Sequence, residues 1–313
     1  MSNSSTSAPS RPLRLGTRGS PLALAQAHMT AAALRAAHGW SEDAIEIVTV
    51  KTSGDRIQDR PLADIGGKAL WTKELDRALL EGETDFSVHS MKDVETIRPD
   101  TLMIAAMLPR ADVRDRLVGA ESIEALKQGA VIGTSSPRRA AQMQRLRPDF
   151  TITMFRGNVA TRLAKLDAGE ADATLLAAAG LDRLGQGDIG STIPTDVMLP
   201  APAQGAVGIE ARADDADMLA LLVAINHADT YDCVMAERAV LLALGGTCHS
   251  PIAALARVEG DRIMLNAEIL TADGSERVSD NIEMGRNDRK KAGALGASLL
   301  IKASPALRAL FQG

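Results

Sequence analysis

Aromatic side chains are scarce: four phenylalanines, two tryptophans and one tyrosine in 313 residues. That leaves almost no ring surface on which nucleic-acid bases could stack. Positive charge is not in excess either. Forty acidic against 35 basic residues give a formal net charge of −5, which argues against a general polyanion binder. Nucleic acid is therefore not an expected partner. Cysteine is nearly absent: Cys233 and Cys248 form neither a CxxC motif nor a metal-ligand spacing, so no metal is expected and a reducing cytoplasm fits. Long apolar runs are missing too, and no stretch of about 20 residues could cross a bilayer. Even the alanine-rich 22–37 region is broken by Gln26, His28 and Arg35. The leading MSNSSTSAPSRP has no apolar centre and reads as a disordered polar tail rather than a secretory signal.

What is present is a regular alternation of strand-like and helix-like segments. A chain of this length exceeds one ordinary core, so two or three domains are expected. Leu13–Gly16 is a short strand, and Ser20-Pro21 opens a helix to about Ala37. A β-branched strand at Ile45–Lys51 precedes the polar loop TSGDRIQDRP, whose region 53–67 is a candidate lid. Lys68–Glu81 reads as a helix with Leu70, Leu75, Leu79 and Leu80 on its apolar side. Strands follow at Asp85–His89 and Leu102–Leu108. A second series runs strand 130–134, helix 137–146, strand 151–155, helix 159–168 and strand 172–178. Such alternation implies α/β architecture with mainly parallel sheets. Pro109–Asp115 and Pro200–Pro202 are the expected crossings between lobes. From about Asp214 the texture changes to helices at 215–226 and 230–244, short strands within 252–284 around an ADGS turn, and a helix at 288–302. That is a smaller α+β domain.

One pattern occurs twice. LGTRGSPLALAQA (15–27) and IGTSSPRRAAQM (132–143) both read strand, Gly-Thr, a short turn, Ser-Pro, helix. Two lobes each presenting a helix N-terminus suit an anion held between them, although Ser-Pro is also simply a common helix start. The second copy poses an electrostatic puzzle. Arg138 and Arg139 fall in the first helical turn, where unpaired N–H groups disfavour each cation by roughly 0.3–1 kcal/mol. They are not isolated. Arg18 lies in the GTRGSP turn, Lys68 follows Gly66-Gly67, and Arg156 closes a strand in MFRGN. Asn158 can cap the next helix, Arg162 sits in its first turn, and Arg183 follows a strand and Gly180. Cations gathered at strand-to-helix turns, the ligand-binding edge of an α/β sheet, suit a ligand with several carboxylates or phosphates. The alternative is solvated arginines paired with local acids. The glycines match neither G-x-G-x-x-G nor Walker A, so no nucleotide is indicated.

Two further stretches carry chemistry. In DFSVHSMKDVET (85–96) a strand delivers Ser90, Met91, Lys92 and Asp93 to its C-terminal end. Asp93 there is either a general acid/base or a turn aspartate paired with Lys92. In LGGTCHSPIA (244–253), Cys248 occupies a small-residue loop past a helix, as a nucleophile, an attachment point or a structural thiol. A hydrolase pairing Cys248 with His89 or His249, and a non-catalytic anion-binding module, are the competing readings.

Taken together these stretches resemble the porphobilinogen deaminase (hydroxymethylbilane synthase) family from about Arg14 to Ile301. The resemblance rests on LGTRGSPLALAQA, GGKALWTKELDRALLEGETDFSVHSMKDV, GTSSPRRAAQ, FRGNVATRLAKLDAGEADATLLAAAGLDRLG, LPAPAQGAVGIEAR and ERAVLLALGGTCHSPIA. It implies a transferase of tetrapyrrole (haem, chlorophyll, corrin) biosynthesis. Such an enzyme condenses four porphobilinogen molecules head to tail onto a covalent dipyrromethane primer, releases ammonia each time, and frees the linear product. The small-molecule substrate would be porphobilinogen, and the protein a cytoplasmic monomer. By the same resemblance Asp93 is the catalytic acid and Cys248 carries the dipyrromethane through a thioether. Carboxylates of cofactor and substrate would meet Arg18, Ser20, Lys68, Ser90, Lys92, Thr134, Ser135, Ser136, Arg138, Arg139, Arg156, Asn158, Arg162, Arg183 and Gln204. The implied architecture is two periplasmic-binding-protein-like lobes plus a smaller C-terminal domain. The expected boundaries are 1–12 for the tail, 13–108 with 203–222 for domain 1, 109–202 for domain 2 and 223–313 for domain 3. Departures stand at Ala69, Trp71, Ala203 and Thr247, where Ala203 occupies a position usually glycine.

Overall fold

The computed structural model describes residues 9–51, 72–246 and 250–311. Most of the polar tail, the 53–67 loop, Lys68, Ala69, Leu70, Trp71, Thr247, Cys248 and His249 lie outside the described residues. The described residues divide into two compact units, one holding those up to Arg110 together with Ala206–Tyr231, the other holding Ala111–Gly205 and those from Asp232 on.

The first unit is built on a five-stranded sheet. β1 (Leu13–Thr17) leads into α1 (Pro21–His38), β2 (Ile45–Thr49) follows, and α2 (Lys73–Leu80) precedes β3 (Phe86–Ser90). β4 (Leu102–Met107) completes the consecutive part, and β10 (Val207–Arg212) with α6 (Ala216–Val223) is added from far along the chain. The order is β2-β1-β3-β10-β4. β1 pairs in parallel with β2 and β3, while β10 runs antiparallel to both β3 and β4. Four strands therefore share one direction and β10 alone opposes them. Leu15, Leu34, Phe86, Ala106, Val207, Ile209 and Leu222 form the core between sheet and helices.

In the second unit β5 (Asp115–Val118), β6 (Val131–Gly133), α3 (Pro137–Leu146), β7 (Thr151–Thr153), α4 (Val159–Asp167), β8 (Ala173–Ala177), α5 (Ala178–Arg183) and β9 (Ser191–Ile193) make a sheet of order β7-β6-β8-β5-β9. Here too one strand, β5, runs against the rest. A separate antiparallel sheet of β11 (Ile252–Glu259), β12 (Arg262–Leu270) and β13 (Arg277–Gly285) packs against α7 (Ala228–Ala243), α8 (Arg289–Lys302) and α9 (Pro305–Ala309).

Local chemistry accounts for the helix starts. Ser20, Ser136 and Ser304 each precede a proline, and each hydroxyl accepts the N–H three residues on, at 3.3, 3.4 and 3.1 Å. The cap fills one of the unpaired donors while proline removes another. Several expectations are corrected. Leu80 is 49% exposed, whereas Leu75 and Leu79 are fully buried, because the buried stripe of α2 follows Leu75, Ala78 and Leu79. The strands within 252–284 are long, at 8, 9 and 9 residues. Asp115 is not part of a crossing; it opens β5. β5, β9 and β10 had no counterpart in the sequence reading.

The ADGS turn between β12 and β13 places Gly274 at φ +70°, with the space a Cβ would need taken by the carbonyl oxygen of Ala141 and the backbone of Arg145 on α3. Gly274→Ala combines left-handed strain with a clash against backbone, and lowers stability by about 2–3 kcal/mol in denaturant titration.

Candidate active site

Parallel neighbours end at the same sheet edge, and at that edge the sequence had placed its cations. In the first unit the edge beyond β1 and β3 carries Arg18, Ser20, Ser90 and Asp93, and these four line one open cavity of about 60 Å³ together with Gln26 and His89. Arg18, Lys92 and Asp93 are half-buried. Asp93 stands in a single 3-10 turn, Met91–Asp93, that directly continues β3. Ser20 spends a lone pair on its cap and keeps its hydroxyl proton to donate. Ser90 is held by the buried Gln26, whose Nε2 donates to its hydroxyl at 2.9 Å.

A network of charged groups lies beside this cavity. His89 Nε2 is 3.1 Å from Glu210, which is fully buried on β10. Arg98 donates to both Glu210 oxygens at 2.9 Å, and also to Asp76 at 2.5 Å and Glu95 at 2.9 Å. Burial raises the Glu210 pKa, but His89 and Arg98 outweigh it and hold the carboxyl down at about 2. Burial leaves Asp76 above the usual aspartate range despite Arg98. Sequence reasoning missed Arg98 and Glu210; the one signal was a charged residue inside the apolar run VGIEAR.

In the second unit the edge beyond β6, β7 and β8 carries Arg138, Arg139, Arg156, Arg162 and Arg183. Arg138 and Arg139 do not face open space. Both are buried against Asp115, at 2.7 Å each, and Arg139 also donates to the Leu175 carbonyl at 2.9 Å. Gln204 donates to the same carboxylate at 3.0 Å and to the Val113 carbonyl at 2.7 Å. Burial opposes the charge on Asp115, yet the two guanidinium groups push its pKa well below the usual range. Burial lowers Arg138, with Asp115 only partly offsetting it. The repulsion at the start of α3 is thus relieved from within the protein, by an acid the sequence had assigned to a loop.

The other cations differ. Arg156 has a buried Nη1 with no hydrogen-bond partner among the described residues. Arg183 donates through Nη2 to the Gly205 carbonyl at 2.7 Å, while its buried Nε has no such partner, and burial lowers its pKa. Arg162 donates to the Gly157 carbonyl at 3.1 Å, and Asn158 caps α4 by accepting from Thr161 at 2.9 Å. Thr134 is buried and accepts the Ser136 N–H at 3.1 Å; Ser135 and Ser136 are half-buried. Ala203 adopts φ +63°, the left-handed region where the lack of a side chain favours glycine, and its N–H is held by Glu237 at 2.6 Å. Cys233 is buried in the core of the third sheet. Among the described residues no group of His, Cys, Asp and Glu is placed to hold a metal, and no helix is long and apolar enough to cross a membrane.

In the second unit, buried guanidinium nitrogens of Arg156 and Arg183 with no acceptor among the described residues fit a ligand that brings carboxylates; in the first unit, the cavity lined by Arg18 and two serine hydroxyls fits one too. The class so defined is an α/β protein with arginines gathered at its sheet edges and a half-buried acid. Residues 13–220 match the family model "Porphobilinogen deaminase, dipyromethane cofactor binding domain", and residues 231–304 match that family's C-terminal domain. The porphobilinogen deaminase of Sphingopyxis alaskensis is 58% identical over 309 residues, 97% of this chain and 98% of its own. That of Paracoccus denitrificans is 54% identical over 274 residues, 87% and 88% of the two chains. The chain belongs to the porphobilinogen deaminase family. Among solved structures, a Salmonella typhimurium periplasmic binding protein of high arginine specificity is 12% identical with a TM-score of 0.39, covering 69% of this chain and 92% of its own. The Bordetella pertussis BvgS VFT2 domain is 16% identical with a TM-score of 0.38, covering 69% and 85%.

The Glu210 pKa lies below its ordinary 4.5, so the stability it contributes is complete above that value and lost as pH falls toward about 2. Glu210→Gln lowers stability at neutral pH by about 3–5 kcal/mol, as expected for a broken buried pair. The gap from the parent protein narrows as the pH is brought down from 4.5 to 2, which thermal melts across that range will follow.

Proposed function

We propose that this protein condenses porphobilinogen head to tail into the linear tetrapyrrole, with Asp93 as the catalytic carboxylate. The observation that carries the assignment is Asp93 sharing a cavity with Arg18, Ser20 and Ser90 at the edge of β1 and β3. A dipyrromethane, attached through the Cys248 thioether, supplies when bound the pyrrole carbon onto which units are added. Arg18 and the Ser20 hydroxyl hold acetate and propionate groups from the cavity wall, with Ser90 fixed by Gln26 beside them. Arg156 and Arg183 do the same at the second edge, where a carboxylate would complete their open N–H donors and offset the cost of their burial. Lys68, Lys92, Thr134, Ser135, Ser136, Asn158 and Arg162 belong to this carboxylate-binding set. Arg138 and Arg139, already engaged with Asp115, contribute positive field, and Gln204 helps hold that carboxylate at the start of α3.

With the substrate so oriented, Asp93 faces the carbon from which ammonia departs. Its negative charge stabilises the delocalised cation that this departure leaves, and its oxygen then takes the proton released when the new carbon–carbon bond has formed. One carboxylate suits both tasks because each places positive charge at the same spot. The three sheets are read as three domains, 13–108 with 203–222, 109–202 and 223–313. On its two lone cysteines and its family resemblance, the chain is read as a cytoplasmic monomer.

Asp93→Asn retains a covalent adduct in intact-mass analysis and loses nearly all turnover, while Cys248→Ser loses the adduct and the pyrrole colour reaction with an acidic aldehyde; normal turnover by either variant removes the corresponding assignment. Arg156→Gln, which deletes a charge-assisted contact of about 1.5–3 kcal/mol, lowers kcat/KM for porphobilinogen by about 10- to 100-fold without lowering the melting temperature.

A further inference from the structure

Every N–H of one buried guanidinium group is in use beside the Asp93 turn. Arg98 Nε donates to Glu210 Oε1 at 2.9 Å; Nη2 donates to Glu210 Oε2 at 2.9 Å and to Asp76 at 2.5 Å; Nη1 donates to Glu95 at 2.9 Å and to Thr72 at 3.3 Å. Five donors thus meet five acceptors, a set that lysine, with three donors and no fixed fork, cannot replace. The side chain of Arg98 is 10% exposed.

These contacts fall on both sides of the Met91–Asp93 turn. Upstream, Glu210 lies 3.1 Å from the ring of His89 on the last part of β3. Register explains how they meet: Gly208 stands directly across from His89, and Glu210, two residues on, shares its face. The space a Cβ at Gly208 would need is filled by the Met91 sulfur, so the turn itself is seated on β10. Downstream, Glu95 is two residues past Asp93 and bound to the same guanidinium. One side chain therefore fixes the chain just before and just after Asp93.

We propose that Arg98 is a positioning residue for the Asp93 carboxylate, acting through Glu210 and His89 on one flank of the turn and through Glu95 on the other. The proposal rests on the reading of Asp93 given above. Displacing a reacting group by about 1 Å costs on the order of 10²-fold in rate, whereas carboxylate recognition by Arg18 and Ser20 does not pass through Arg98.

The test uses cofactor-loaded Arg98→Lys and Glu95→Gln, with Asp93→Asn beside them, and measures kcat per loaded site, KM for porphobilinogen, and melting temperature. Arg98→Lys is expected to lower kcat by about 10- to 100-fold with KM changed less than about twofold. Glu95→Gln, which frees only the downstream flank, gives a smaller fall of the same kind. A normal kcat per loaded site in Arg98→Lys, whatever its melting temperature, overturns the proposal. Should Arg98→Lys fail to fold, an unchanged kcat in Glu95→Gln does so instead. Normal turnover by Asp93→Asn refutes the underlying reading, a result separate from either of these.

Discussion

Asp115 lies between two guanidinium groups in a region that water does not reach, and the second unit is organised around that shared carboxylate. The two arginines stand in the first turn of α3, where the helix itself is positive. The single acid draws the helix start onto β5, and Gln204 reaches in from the residues that follow the last strand of that sheet. From Arg138 the contacts continue through Gln142 to Glu268 and Arg277 on the third sheet, at 3.0, 2.6 and 2.6 Å. Removing the carboxylate would leave two buried cations uncompensated, which is far more costly than never having buried them.

The first unit shows the opposite imbalance. There one guanidinium, Arg98, serves three carboxylates, and a histidine is the other basic partner. Both arrangements hold a charged group away from water at a sheet edge, and each edge carries further charged groups: Arg18 and Asp93 in one unit, Arg156 and Arg183 in the other. Which charge finds an internal partner of opposite sign is not disclosed by position in the sequence.

Much of the fold was legible because its signals are local. Ser-Pro starts, the Asn158 cap, glycine stops and the 3.6-residue period of α3 all act within a few residues. The strands that escaped notice are those whose apolar pattern is broken by a buried acid, Asp115 in β5 and Glu210 in β10, together with the three-residue β9. A buried charge reads as surface until its partner is known, and the partners lie 23 and 112 residues away. The same blindness left Arg138 and Arg139 open between a ligand and local acids, and passed over Arg98. Ala203 was legible as a departure from glycine, but only its positive φ gave the reason that glycine suits the position.

The placement of β10 has a consequence for how the chain is made. β10 lies between β3 and β4, so neither has its final neighbour until residues 207–212 exist. During synthesis from the N-terminus, about two thirds of the polypeptide must emerge before that gap is filled. Until then the backbone of β3, which runs directly into the Met91–Asp93 turn, presents an open pairing edge to other nascent chains. The cavity around Asp93 is thus among the last parts of the first unit to take shape, and a ribosome stalled before residue 207 would display a partial sheet prone to association.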